Sequence, residues 1–256
     1  MMKQLSYTKL LVSAIALFGL TACEPAVISQ ELQQTKEAYT GYSDSTAERL
    51  DSAAKQAVRD GDPYEAVQHY EKLYTMDSGN PDTALNYAIV LRQTGNPERA
   101  SVVLAPYVDV EDTKKGPIVT AESPDILLEY ASAKLAMGEY EKAEILLQGL
   151  LMDPRAPELA PQAHNLIGVS LDSRGRYRDA EAYYEQAMDL WIGAPVNVMN
   201  NLALNLAHQG YFDDSLNLLR QALVMEPDND KVAANIDFVR GLQQAVQRNT
   251  TTFGKP

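Results

Sequence analysis

Five glycines, Gly61, Gly95, Gly138, Gly175 and Gly210, stand at separations of 34, 43, 37 and 35 residues, and each carries the same pattern around it. Five positions after each comes a small residue: Ala66, Ala100, Ala143, Ala180 and Ser215. Four further on is a leucine or tyrosine: Tyr70, Leu104, Leu147, Tyr184 and Leu219. Seven positions before each glycine is another small residue: Ala54, Ala88, Ala131, Gly168 and Ala203. A period this long marks one supersecondary unit repeated along the chain, each unit burying its apolar face against its neighbours. Small residues on both sides of a glycine suit two helices that cross closely around a turn, the glycine ending the first in a left-handed conformation.

The two signatures resemble the tetratricopeptide repeat (TPR), a helix–turn–helix unit of about 34 residues. The resemblance implies an all-α right-handed superhelix of about five repeats, near 47–80, 81–114, 124–157, 161–195 and 196–229, with a capping helix over 230–247. Abundant Ala and Leu and sparse β-branched residues agree with helices. Between the second and third repeats, VEDTKKGPIVTAES (110–123) is surplus and is expected to be a surface loop or a bent junction. Residues 23–46 read as a polar tether, in part helical at 29–40, with Ser45 or Thr46 capping the first repeat helix. Residues 248–256 read as a frayed tail.

Ahead of the repeats, Lys3 and Lys9 precede an eleven-residue apolar run, LLVSAIALFGL. That is too short for a bilayer span, which needs roughly 20 residues, and is the length of a signal-peptide core. Cys23, the only cysteine, follows in LTACEP. A buried filler or a reactive nucleophile would explain a lone thiol, but its position resembles the lipobox of bacterial lipoproteins. The resemblance implies cleavage of residues 1–22, acylation of Cys23 and stable membrane anchoring by more than one chain. Glu24 in place of an aspartate implies, by the same resemblance, the outer membrane of a Gram-negative bacterium.

Loss of residues 1–22 removes two lysines and no acid, taking the formal charge from −13 to −15. A chain this acidic disfavours nucleic acid and anionic lipid surfaces as partners. One cysteine allows neither a disulfide framework nor a thiolate metal cluster. No phosphate-binding loop, nucleophile elbow, H-E-x-x-H or C-x-x-C occurs. His69, His164 and His208 fall at different repeat positions, and acid pairs such as Glu141/Glu144 and Asp213/Asp214 read as solvated helix faces. Neither catalysis nor a cofactor is expected.

In the TPR resemblance the first helix of each pair lines a concave groove. The register implies that Asp82, Leu85, Ile89 and Arg92 contribute from the second repeat, and Asp125, Leu128, Ser132 and Leu135 from the third. Gln162, Asn165, Val169 and Asp172 follow from the fourth, with Asn197, Asn200 and Leu204 from the fifth. The first repeat supplies Glu48, Asp51 and Lys55. This apolar, amide and acidic lining lacks the cationic cluster of carboxylate-clamp TPRs. It suits a protein segment with apolar anchors and some positive charge. Asn86, Asn201 and Asn235 share one repeat position, where the family implies a bond to backbone of the preceding repeat.

A narrower resemblance rests on NNLAL before Gly210 and on KVAANIDFVRGLQ after the fifth repeat. These blocks are similar to the TadD family, TPR lipoproteins of tight adherence (Tad) loci. That similarity implies a pilotin-like role in Flp pilus assembly, with an outer-membrane secretin or another assembly component as partner. A type IV pilus pilotin and a chaperone or regulator of cell-wall enzymes are the alternatives. The family supplies no catalytic residue.

Overall fold

The computed structural model describes residues 45–253 apart from 115. Cys23, the expected signal peptide and the tether up to residue 44, with its 29–40 segment, lie outside the described residues, as does the end of the tail. From Leu50 onward the chain packs as one unit of paired helices. The first pair is α1 (45–59) and α2 (Pro63–Met76), followed by α3 (Pro81–Gln93) and α4 (Pro97–Leu104). Then come α5 (Pro124–Ala136) with α6 (Tyr140–Leu151), and α7 (Ala160–Ser173) with α8 (Tyr177–Leu190). The last pair is α9 (Val196–His208) and α10 (Phe212–Met225), covered by α11 (Asp230–Phe253).

The repeated glycines end α1, α3, α5, α7 and α9 as the sequence implies. Gly95 has φ +81°, and the next amide, Asn96 N–H, reaches back to the Leu91 carbonyl at 2.8 Å. The same closure recurs in the other four turns, such as Glu139 N–H to Lys134 O at 2.9 Å. A left-handed residue bearing a Cβ costs about 1–2 kcal/mol. Gly95→Ala, where the added Cβ meets no atom, is therefore expected to lose about 1 kcal/mol from backbone strain alone, read from urea unfolding followed by circular dichroism. An unchanged midpoint would contradict the turn geometry.

All the small residues of the pattern are buried, and so are Tyr70, Leu104, Leu147, Tyr184 and Leu219. One apolar cluster joins α5 through α9, from Leu127 and Leu147 to Val198 and Leu202. A second joins α9 and α10 to Val232, Ile236 and Val239 of α11. The expected cap therefore buries one face on the last repeat, and its helix runs past residue 247, through the expected tail, to Phe253. At the other end Ser45 and Thr46 already lie within α1 instead of capping it.

The surplus segment is neither loop nor bent junction. It is a β-hairpin, β1 (Val108–Thr113) against β2 (Gly116–Ala121), in the register Val108↔Ala121, Val110↔Val119 and Thr113↔Gly116. The physical reason lies in local composition. Pro106 interrupts α4 after eight residues, because it lacks an N–H and disfavours helix before it. From Val108 the chain alternates valine with acid in V-D-V-E, and β2 then carries I-V-T, residues that favour a pleated, half-buried surface. Val108, Val119 and Ala121 pack against the larger cluster, so the hairpin covers a flank of α5 and α6. Arg155 donates to the carbonyls of Ala121 (3.1 Å) and Glu122 (3.3 Å), fixing the exit of β2.

The hairpin seats on α6 at Gly149, where a Cβ would fall 2.6 Å from the Cβ of Val119. Gly149→Ala is expected to cost about 1–3 kcal/mol through overpacking. Adding Val119→Gly removes the colliding atoms, and the double variant should recover part of the loss in the same urea titration. Equal losses in single and double variants would count against this seat.

Candidate functional site

The helices that begin each pair, α3, α5, α7 and α9, present the groove-register residues. Asn80 and Ser123 cap α3 and α5, their side chains accepting from the N–H of Thr83 (3.1 Å) and Ile126 (3.2 Å). Pro81 and Pro124 open the two helices, which puts Asp82 and Asp125 in the first turn, where a negative charge meets the positive helix end. Both aspartates are exposed.

Leu85, Ile89, Arg92, Asp125, Leu128, Ser132, Gln162 and Asn165 come together around a cavity of about 300 Å³ between α3, α5 and α7. Glu129 and Leu166 complete its wall and were not in the expected set. A second cavity, of about 250 Å³, lies between α7 and α9, with Val169, Asp172, Leu204 and Tyr184 among its lining. Asp82 and Asn197 are exposed and border neither cavity, and Leu135 is half-buried outside both. In the first repeat Lys55 and Asp51 pair with each other at 2.8 Å.

Arg92 is committed within the protein. Its guanidinium makes a two-pronged contact with Glu129, 2.6 Å from Nε to Oε1 and 2.9 Å from the terminal nitrogen to Oε2. Glu129 is buried and Arg92 only a third exposed, so the pair ties the second repeat to the third. Lys134, the other cation on these four helices besides histidine, pairs with Glu139 at 3.5 Å. Asp82 and Asp125 stand in no ion pair among the described residues.

Asn200 departs from the expected role, being buried with its side-chain oxygen accepting from Asn235 Nδ2 at 2.6 Å. Asn201 donates to Asn165 Oδ1 at 3.0 Å. Asn201 and Asn235 thus bond side chains of the preceding repeat, where the resemblance implied backbone. The backbone contact falls to Asn205, whose amide reaches Tyr177 O at 2.8 Å and also Asp172 at 2.5 Å. Asp172 further accepts from the Tyr184 hydroxyl at 2.9 Å. Burial raises the Asp172 carboxyl above its ordinary range, against the lowering by these two donors. The Tyr184 hydroxyl is raised strongly, first by burial and then by the Asp172 charge.

The acid pair Glu141/Glu144 is half solvated. Glu141 is exposed, whereas Glu144 is sheltered and bonded by Ser170 Oγ at 2.7 Å and by Arg174. The histidines sit apart. His164 lies near Tyr183, burial lowering its imidazole, and His208 stacks on Tyr177 at 5.0 Å. Among the described residues no group of three His, Cys, Asp or Glu side chains is placed to hold a metal ion. No helix among them is long and apolar enough to cross a membrane.

Paired helices closed by glycine turns, with cavities along the first-helix side, define a helical-repeat scaffold for binding proteins. The chain belongs to the tetratricopeptide repeat family, whose models match residues 57–113, 128–195 and 196–225. The hairpin straddles the gap after the first match. Among solved structures it is similar to a thermophilic TPR protein of Thermus thermophilus, at 16% identity over 75% of this chain and 98% of that one, with a TM-score of 0.61. It is also similar to MamA from Desulfovibrio magneticus, at 15% identity over 72% and 97%, with a TM-score of 0.51. A TPR protein from Parabacteroides merdae aligns at 18% identity over 83% and 81%, with a TM-score of 0.50. At these identities the likeness establishes the fold alone. Among curated proteins none matches the sequence.

Proposed function

We propose that this protein is a non-enzymatic lipoprotein scaffold of the outer membrane that supports assembly of Flp-type pili. Acyl groups on Cys23 hold it at the membrane, and its groove binds the secretin or another assembly component. The observation that carries the binding role is the row of cavities along α3, α5, α7 and α9, apolar in the main and bordered by carboxylates. The LTACEP stretch supports the anchor. The NNLAL and KVAANIDFVRGLQ blocks support the pilus reading.

Deleting the gene is expected to abolish secretin multimers and surface piliation, scored by immunoblot of unboiled envelopes and by electron microscopy. Cys23→Ala should leave the chain folded but reduce both readouts, because the scaffold is no longer confined to the membrane. Unaltered multimers and pili in the deletion strain would end the pilus reading, and an unchanged Cys23→Ala strain would end the anchoring one.

A further inference from the structure

The hairpin leaves one strand edge open beside a helix. Opposed residues of an antiparallel pair alternate between those that exchange hydrogen bonds and those whose N–H and C=O point outward. Pro117, opposite Asp112, has no N–H for β1, and a strand proline belongs to the outward class. Counting along the register, Val110↔Val119 and Val108↔Ala121 share that class. Arg155 supports the assignment separately, reaching the Ala121 carbonyl from outside the ladder at 3.1 Å. The Pro117 carbonyl and the N–H and C=O of Val119 thus face outward, with no hydrogen-bond partner among the described residues.

That edge borders a cavity of about 570 Å³, lined by residues 116–120 of β2 but by none of β1. Its floor is one stripe of α6: Ile145, Gln148, Gly149 and Met152, spaced i, i+3, i+4 and i+7. Val119 sits over Gly149. At 3.6 residues per turn Ile145 and Met152 come next around the helix, with Gln148 beyond them. Met152 is 84% exposed, a large apolar side chain that nothing covers among the described residues. The two charged residues of the lining, Asp153 and Arg155, pair with each other at 2.6 Å.

We propose that this shelf takes an extended segment of a partner protein as a third, antiparallel strand beside β2. The segment carries uncharged aliphatic side chains at every second residue, and these rest on α6. The open backbone groups select the extended form, because a helix spends its own N–H and C=O groups internally. In antiparallel addition one residue opposite Val119 exchanges both bonds with it. Cross-strand neighbours point to the same face, so that residue drops its side chain, like Val119, onto Ile145 and Met152. Charge selects the side chain: a charged group there would be desolvated without a partner. A two-stranded ribbon is marginal, and a third strand strengthens it.

The test uses the full-length chain and a dye-labelled peptide of alternating valine and serine, read by fluorescence anisotropy. The peptide should bind, and replacing its valines by glutamate or by lysine should weaken it at least tenfold. Backbone N-methylation separates strand addition from mere apolar contact. Methyl groups on the valine nitrogens, whose N–H face β2, should cost at least tenfold, whereas methyl groups on the serine nitrogens should cost less than twofold. In the protein, Met152→Lys, at an exposed position, should weaken binding at least tenfold, and Met152→Leu should preserve it. A Leu128→Asp/Asp125→Lys variant of the first-helix groove should bind the peptide as the wild type does. The proposal is overturned if no peptide binds, if either charged peptide binds as tightly, or if both methylated peptides bind alike. It is overturned equally if Met152→Lys is without effect or if the groove variant loses the peptide.

Discussion

Replacing Tyr184 by alanine is expected to destabilise the protein by about 3–5 kcal/mol, the usual cost of removing a buried aromatic ring. The ring is almost wholly buried and lies against the backbone at Gly168, where a Cβ would come within 2.6 Å of it. Its hydroxyl donates to Asp172, which Asn205 also bonds. One side chain thus packs α8 on α7, bonds a half-buried carboxyl and borders the second groove pocket. Tyr184→Phe keeps the ring and should cost about 1–3 kcal/mol, since Asp172 then loses a donor. Gly168→Ala should cost about 1–3 kcal/mol by overpacking. That penalty should vanish in the Tyr184→Ala background, because the colliding atoms are gone. Denaturant titration of the four chains forms a double-mutant cycle. Additive effects at Gly168 and Tyr184, or a loss below about 1 kcal/mol for Tyr184→Ala, would show that this contact does not hold the repeats together.

The second large effect is at Arg92. Breaking a fully buried ion pair costs about 3–5 kcal/mol, because the remaining charge is left without compensation. Arg92 is partly solvated, so Arg92→Ala is expected to cost about 2 kcal/mol after allowance for screening. The double variant Arg92→Leu/Glu129→Leu should recover most of the loss, as neither charge is then stranded. If Arg92 instead serves a partner's anion, Arg92→Ala would leave stability unchanged and abolish binding. The expected order, single variant well below wild type and double variant close to it, is read from urea midpoints.

Much of the scaffold was legible in the sequence because the repeat is a packing constraint written in small residues. Gly95 must be left-handed and Ala88 must admit a neighbouring helix, so both show up as periodic identities. Part of the first pocket's lining was legible for the same reason: Leu85, Ile89, Asp125, Leu128 and Asn165 meet there because register fixes which residues share a helix face, whereas Asp82 and Asn197, named by the same register, border neither pocket. Partnerships across the repeats were not legible. Arg92 and Glu129 are 37 positions apart, and neither alone announces that the other will neutralise it. Asn200 and Asn201 are adjacent, yet one turns inward to meet Asn235 while the other bridges to Asn165. The hairpin was missed because β-branched residues are sparse in the whole chain but concentrated at 108–120. Two local signals pointed to it: the valine–acid alternation after Pro106, and Gly149 in the middle of a helix, where the close approach of another element leaves no room for a side chain.

Docking of the proposed envelope partner in the groove of this TPR scaffold is decided by affinity capture from detergent-solubilised envelopes. Wild-type protein is compared with a Leu128→Asp/Asp125→Lys variant of unchanged helicity and melting temperature. The wild type is expected to retain the secretin or its assembly partner, and the variant to lose it at least tenfold. Equal recovery on both chains would contradict groove docking and move the binding surface elsewhere on the molecule.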